Sequence, residues 1–153
     1  MENQRLNYAQ VAPAGYKAML DFSNYTKTSS LEPLLKELVK IRVSQINGCA
    51  FCLDMHTKDA RALGEVEERI FMLSTWRESE LYTNREKSAL DWAESLTHIS
   101  ISHASEEIYQ EVRKYFDEKE TVDLTHTIVA INAWNRFMVA FRVPARHTSP
   151  HVK

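Results

Sequence analysis

Only three glycines and four prolines occur in 153 residues, about half their usual combined share. That scarcity constrains the fold more than any other feature of the sequence. β-Sandwiches and barrels use these residues at frequent turns, so an all-β architecture is disfavoured. The glycines stand alone at Gly15, Gly48 and Gly64, so neither of the common glycine-rich phosphate loops can be written into the chain. The length is that of one domain, enough to bury roughly 70% of the unfolded surface around a single core. The chain is expected to be an all-α, single-domain helical bundle.

Charge and apolar patterning narrow the functional classes. The formal net charge is −2, and Lys and Arg are scattered among acids, as on a solvated helical surface rather than a nucleic-acid footprint. The first ten residues hold no apolar signal core. The richest apolar run, Ile128 to Phe141, is broken by Asn132, Asn135 and Arg136, so no membrane span is predicted. These features point to a cytoplasmic protein with neither nucleic-acid nor membrane partners. In that reducing compartment a structural disulfide is disfavoured, so two cysteines at C-x-x-C spacing ask for a chemical explanation.

About six helices can be drawn. A short one from Tyr16 would follow an N-terminal arm (residues 1–14), with its aromatic side packed on the body or on a neighbouring subunit. Ser29 with Glu32 fits a capping box ahead of Pro33, opening a helix that carries Leu34, Leu35, Leu38 and Ile41 and stops at Asn47-Gly48. The next runs from Cys49 to Leu63, with Gly64 just past its end. Further helices are expected at about 66–75, after a Thr83–Glu86 capping box, at 105–116, and at 121–141. The last has Leu124, Ile128, Ile131, Trp134, Met138 and Phe141 on one side and Val122, Val129, Ala133, Phe137 and Ala140 on another, so little of it should face water. It should be the core axis or part of a subunit interface. The helical body spans residues 15–142, and residues 143–153 form a polar tail.

Cys49, Cys52 and His56 fall on one face of the helix expected from Cys49 to Leu63, at i, i+3 and i+7. The cysteines lie in its first turn, where unpaired N–H groups and the helix dipole stabilise a thiolate. His56, one turn beyond Cys52, can take or relay the thiol proton. Glu37 lies eleven residues before Gly48 and His56 eight after it. In a helical hairpin these sit ~16 Å and ~12 Å from the turn, at similar depth. A buried carboxylate there would orient the imidazole, as the third member of a catalytic relay does.

Plainer readings exist for each residue. Glu37 can pair with Lys40 at i+3, His56 can be structural, and the cysteines can be small core fillers. Cys49, Cys52 and His56 with His98, His103 or His126 would also make a zinc set, although structural zinc pairs favour tight knuckles over a helix's first turn. His98 and His103 otherwise flank a loop, and His147 and His151 lie in the tail. Trp76, Trp92 and Trp134 read as core or interface. Asn132, Asn135 and Arg136 must find hydrogen-bond partners across helices or subunits.

Taken together, Glu37, the run C-A-F-C at Cys49–Cys52 and His56 resemble the signature of the AhpD-like alkylhydroperoxidases of the carboxymuconolactone decarboxylase superfamily. The flanking E-L-V-K-I-R-V-S-Q-I-N-G, W-A-E-S-L-T from Trp92 and I-N-A-W-N-R-F from Ile131 are similar too. The resemblance covers about residues 15–142. It implies an all-helical subunit, homo-oligomers such as trimers or hexamers, and hydroperoxide reduction without a cofactor or metal. It implies Cys52 as the peroxidatic thiolate, Cys49 as the resolving thiol, and Glu37 and His56 as proton carriers. A dithiol reductant, lipoyl-bearing or thioredoxin-like, would regenerate the pair. Family decarboxylases typically lack C-x-x-C, which sets their chemistry apart. One position departs from the alkylhydroperoxidase pattern: Phe51 stands where the best-studied members carry a second histidine. The substrate pocket is expected between the N-terminal aromatics and the last helix.

Overall fold

The computed structural model describes residues 4–145, and the part of the predicted tail from residue 146 on, with His147 and His151, lies outside them. The described residues form nine α-helices and one 3-10 turn, with no strand: α1 (Tyr8–Val11), α2 (Pro13–Lys27), α3 (Pro33–Ile46), α4 (Ala50–Ala62), α5 (Glu67–Phe71), the 3-10 turn (Met72–Thr75), α6 (Asn84–Thr97), α7 (Ile99–Ser102), α8 (Glu106–Arg113) and α9 (Glu118–Ala140). The count exceeds six because α1 and α7 are single turns, α5 passes directly into the 3-10 turn, and the N-terminal segment is helical earlier than expected. Pro13 at the first turn of α2 is the start signal there.

α3 is the axis of the molecule, packing on α4, α6 and α9. Leu35, Leu38, Val39, Ile41 and Val43 are buried, and so are Lys36, Glu37 and Ser44. α9 was expected to be wrapped on most sides, yet Val122 and Val129 are about half exposed. α2, α3, α4, α6 and α8 pack around the rest of it, so little of this helix faces water, as expected. The charged residues of α3 hid the more central helix from a hydropathy reading.

Of the two predicted N-terminal capping boxes one forms and one does not, and a further one appears. Thr83 and Glu86 form the predicted capping box. α9 opens with an unpredicted second one, Asp117 with Glu120, which moves its start to Glu118. Ser29 and Glu32 form none. The Glu32 carboxylate is drawn to Arg85 at 2.8 Å and 3.2 Å, and the Ser29 hydroxyl donates to Thr26 O. Arg5 N and Nη1 bond Phe141 O and Ala140 O, tying the N-terminal arm to the end of α9.

Two glycines set the hairpin that carries the site. α3 ends with Gly48 at φ 65°, where Gly48 N–H reaches Gln45 O and Cys49 N–H reaches Ser44 O. α4 ends likewise with Gly64 at φ 97°, with Gly64 N–H on Arg61 O and Glu65 N–H on Ala60 O. Both are Schellman closures, which need a left-handed residue at that position.

Candidate active site

Cys49 closes α3 and caps α4 at once, so the hairpin turn fixes where the sulfurs lie. Its Sγ accepts from Cys52 N–H at 3.3 Å, and its carbonyl accepts the next N–H, from Leu53, at 3.0 Å. Cys49 and Cys52 are joined as a disulfide with Cα atoms 5.4 Å apart, and both are about 1% exposed. The turn is locked to α9 by Asn47, whose Nδ2 donates to Asn132 Oδ1 at 3.0 Å and Asn135 Oδ1 at 2.9 Å. Asn135 donates onward to Ser44 Oγ, Asn132 to Thr97 Oγ1, and Arg136 to Asn132 O. Asn132, Asn135 and Arg136 therefore find partners within the chain.

Glu37 and His56 meet as the hairpin arithmetic requires. His56 Nδ1 lies 2.7 Å from Glu37 Oε2, and both residues are buried. Lys40 Nζ donates to the other oxygen, Glu37 Oε1, at 2.6 Å. Burial alone would raise the Glu37 pKa, but the hydrogen bond from His56 and the Lys40 charge outweigh it and hold the carboxyl below its ordinary value. An ionised Glu37 accepts the Nδ1 proton, which leaves the lone pair of neutral His56 on Nε2.

A cavity of about 1020 Å³ opens on this cluster. Cys52 and His56 form part of its wall, with Glu37 and Phe51, whereas Cys49 does not. Its apolar lining comes from Tyr8, Tyr16 and Leu20 of the N-terminal helices and Ile131, Trp134 and Met138 of α9, as expected from the sequence. Sequence reasoning missed Lys36 and Asp59 in this wall and saw Lys40 only as the i+3 partner of Glu37, a pair that forms. The i+3 and i+4 spacings from Glu37, Lys36 and His56 were the available signal.

The zinc set is not assembled. Among the described residues, the donors that converge are Glu37, His56 and Asp59, within 4.8 Å of one another and without a cysteine. Lys40 holds one Glu37 oxygen and His56 Nδ1 the other, so this geometry serves hydrogen bonding rather than ligation. His98 and His103 are exposed at the ends of α7. His126 packs edge-on to Phe22 and Tyr25. Trp76 and Trp92 are buried, and Trp134 stands in the cavity wall. No helix among the described residues is long and apolar enough to cross a membrane.

Comparison with known proteins agrees with this architecture. The sequence matches the carboxymuconolactone decarboxylase family over residues 13–95. The uncharacterized protein YdfG of Bacillus subtilis is 49% identical, over 90% of this chain and 94% of its own length. The crystal structure of a protein of unknown function from Agrobacterium tumefaciens, described as a candidate antioxidant defence protein AhpD, has a TM-score of 0.91 at 41% identity. It covers 94% of this chain and 98% of that one. An uncharacterized peroxidase-related protein from Silicibacter sp. TM1040 has a TM-score of 0.73 at 26% identity, covering 82% of this chain and 67% of that one. The family match spans more than half the chain and the YdfG likeness nearly all of it, so this protein belongs to the carboxymuconolactone decarboxylase family and has an AhpD-like fold.

Proposed function

We propose that the protein is a cofactor-free thiol peroxidase that reduces organic hydroperoxides through Cys49 and Cys52. The observation that carries this reading is one constellation. A C-x-x-C pair lies at the start of α4, one turn from a buried histidine bonded at 2.7 Å to a buried glutamate, beside a cavity of about 1020 Å³. In the reduced protein His56 takes the Cys52 thiol proton. The thiolate attacks the O–O bond, giving Cys52 sulfenic acid and an alkoxide that the His56 imidazolium protonates to the alcohol. Cys49 then attacks the Cys52 sulfur, forming the disulfide and releasing water. Glu37 holds His56 in orientation and stabilises its cationic form. Phe51 carries no proton, so the relay runs through His56 and Glu37.

Regeneration needs a dithiol, and a lipoyl-bearing or thioredoxin-like protein fits that need. Its thiolate attacks Cys52, the sulfur in the cavity wall, and expels Cys49 as a thiolate. The Cys52 N–H at 3.3 Å stabilises that leaving group at the helix N-terminus. The sum is hydroperoxide plus dithiol giving alcohol, water and disulfide. Assembly as a homo-oligomer, trimer or hexamer, is supported by the half-exposed Val122 and Val129 of α9. The proposed setting is the cytoplasm.

The test is intact mass of the reduced protein before and after one equivalent of a small organic hydroperoxide. The expected result is loss of two hydrogens mapped to a Cys49–Cys52 bond, faster than a free thiol reacts. In Cys49→Ser a sulfenate at Cys52 should be trapped by dimedone, and Cys52→Ser should not turn over. Both thiols left free, or unchanged turnover in Cys52→Ser, would overturn the reading.

A further inference from the structure

One charge in the cavity wall has no part in the redox chemistry. Lys36 lies one turn before Lys40 on α3 and is only 8% exposed. Its ammonium contacts neutral oxygens, Thr26 O at 3.5 Å and Ser29 Oγ at 3.4 Å. Among the described residues no carboxylate forms an ion pair with it within 4.0 Å. The acids that act on it from farther away are held by others. Glu37 bonds Lys40 and His56, and Asp123 bonds Lys119 at 2.5 Å and Tyr25 OH at 3.4 Å. Burial and Lys40 lower the Lys36 pKa further than Glu37 and Asp123 raise it. A buried cation so placed is costly unless an anion joins it. Capping the last turn of α2 accounts for its two contacts. It does not account for an ammonium in the wall that also holds Cys52, and an ammonium has a third proton to give.

The rest of the cavity fits a ligand with one acidic end. Its lining has three lysines, Lys27, Lys36 and Lys40, against two carboxylates, Glu37 and Asp59. Glu37 is spent on Lys40, and Asp59 is the exposed one. The same lining also offers an apolar wall beside these charges, with Tyr16, Leu20, Ile131 and Trp134. Lys36 lies twelve residues before Gly48 and Cys52 four after it, so they are separated by ~12 Å along the hairpin. We propose that Lys36 binds the carboxylate of an amphipathic hydroperoxide, a hydroperoxy fatty acid whose peroxide group reaches Cys52 along the apolar wall. The peroxide half of this assignment rests on the function proposed above, while the anion site stands apart from it.

Binding and turnover are therefore measured separately. In the oxidised protein, dodecanoate and dodecanol are titrated by calorimetry. Dodecanoate should bind about tenfold or more tightly than the alcohol, the difference expected of one charge-assisted contact. Lys36→Met should erase the difference and Lys36→Arg should keep it. In the reduced protein, oxidation by a hydroperoxy octadecadienoic acid should be faster than by its methyl ester, with the ratio falling toward one in Lys36→Met. Equal binding of acid and alcohol by the wild type overturns the proposal, and that comparison needs no variant to fold. A preference that survives in Lys36→Met also overturns it. Acid-selective binding without oxidation of Cys52 would support the anion site and sink the peroxidase reading. Oxidation without acid selectivity would do the reverse.

Discussion

Glu37→Gln is the most informative single change, because it removes a charge while keeping the size of the side chain. The wild-type carboxylate accepts two charge-assisted hydrogen bonds, at 2.7 Å from His56 and 2.6 Å from Lys40. The amide can keep at most the one that its oxygen faces. A hydrogen bond to a charged group is worth about 1 kcal/mol more than a neutral one, so two of them put the loss at about 2 kcal/mol. For a domain of this size that lowers the melting midpoint by roughly 4–8 °C. The rate constant for Cys52 oxidation should fall on the order of 10²-fold, the lower range for losing a proton carrier's support. Stopped-flow oxidation of the reduced variant by an organic hydroperoxide, run well below its melting range, separates the two losses.

The same substitution makes a signed prediction in acid. Burial opposes ionisation of Glu37, but the His56 bond and Lys40 win, so the folded carboxyl titrates below its ordinary value of 4.5. Its contribution is complete above that value and is lost as pH falls through the depressed one. The stability gap between wild type and Glu37→Gln should be widest near neutrality and should narrow as pH drops below 4.5. Urea midpoints across that range provide the measurement. An unchanged oxidation rate, together with a gap that stays constant in acid, would refute the assigned role of Glu37.

Two further changes test how the hairpin is held. Asn47→Ala removes the donor shared by Asn132 and Asn135. With buried acceptors left short, it should cost about 1–3 kcal/mol, read from denaturant midpoints. Gly48→Ala places a Cβ in open space, so only the left-handed backbone at φ 65° opposes it. A loss of about 1–2 kcal/mol is expected, with the Cys49–Cys52 bond still forming on oxidation. A gain in stability there would mean that the Schellman turn is not held in solution.

The site was more legible in the sequence than the packing around it. Cys49, Cys52 and His56 share a helix, so their arrangement follows from spacing alone, and Glu37 could be placed because a two-residue turn leaves the partner helix little freedom of register. The centrality of α3 was hidden because Lys36, Glu37, Lys40 and Arg42 look like a solvated face, while all four contact buried or part-buried groups. The missed capping box at Asp117–Glu120 was present in local spacing. The false one at Ser29–Glu32 could not be dismissed locally, because the competing partner, Arg85, lies 53 residues away.

Glu37 also shows why weighing a plain reading against a functional one can mislead. Pairing with Lys40 and orienting His56 were treated as rival roles, yet a carboxylate has two oxygens and the structure uses both. The roles depend on each other. Without Lys40, His56 alone would oppose the burial that favours the neutral form, which donates a proton where the relay needs an acceptor. Without His56, the second oxygen would be a buried acceptor with less to satisfy it. The surface-like i,i+3 pair thus works with the His56 bond to keep this carboxylate charged inside the fold. It leaves Lys36, one turn earlier and without such a partner among the described residues, as a buried cation in this wall still short of an anion.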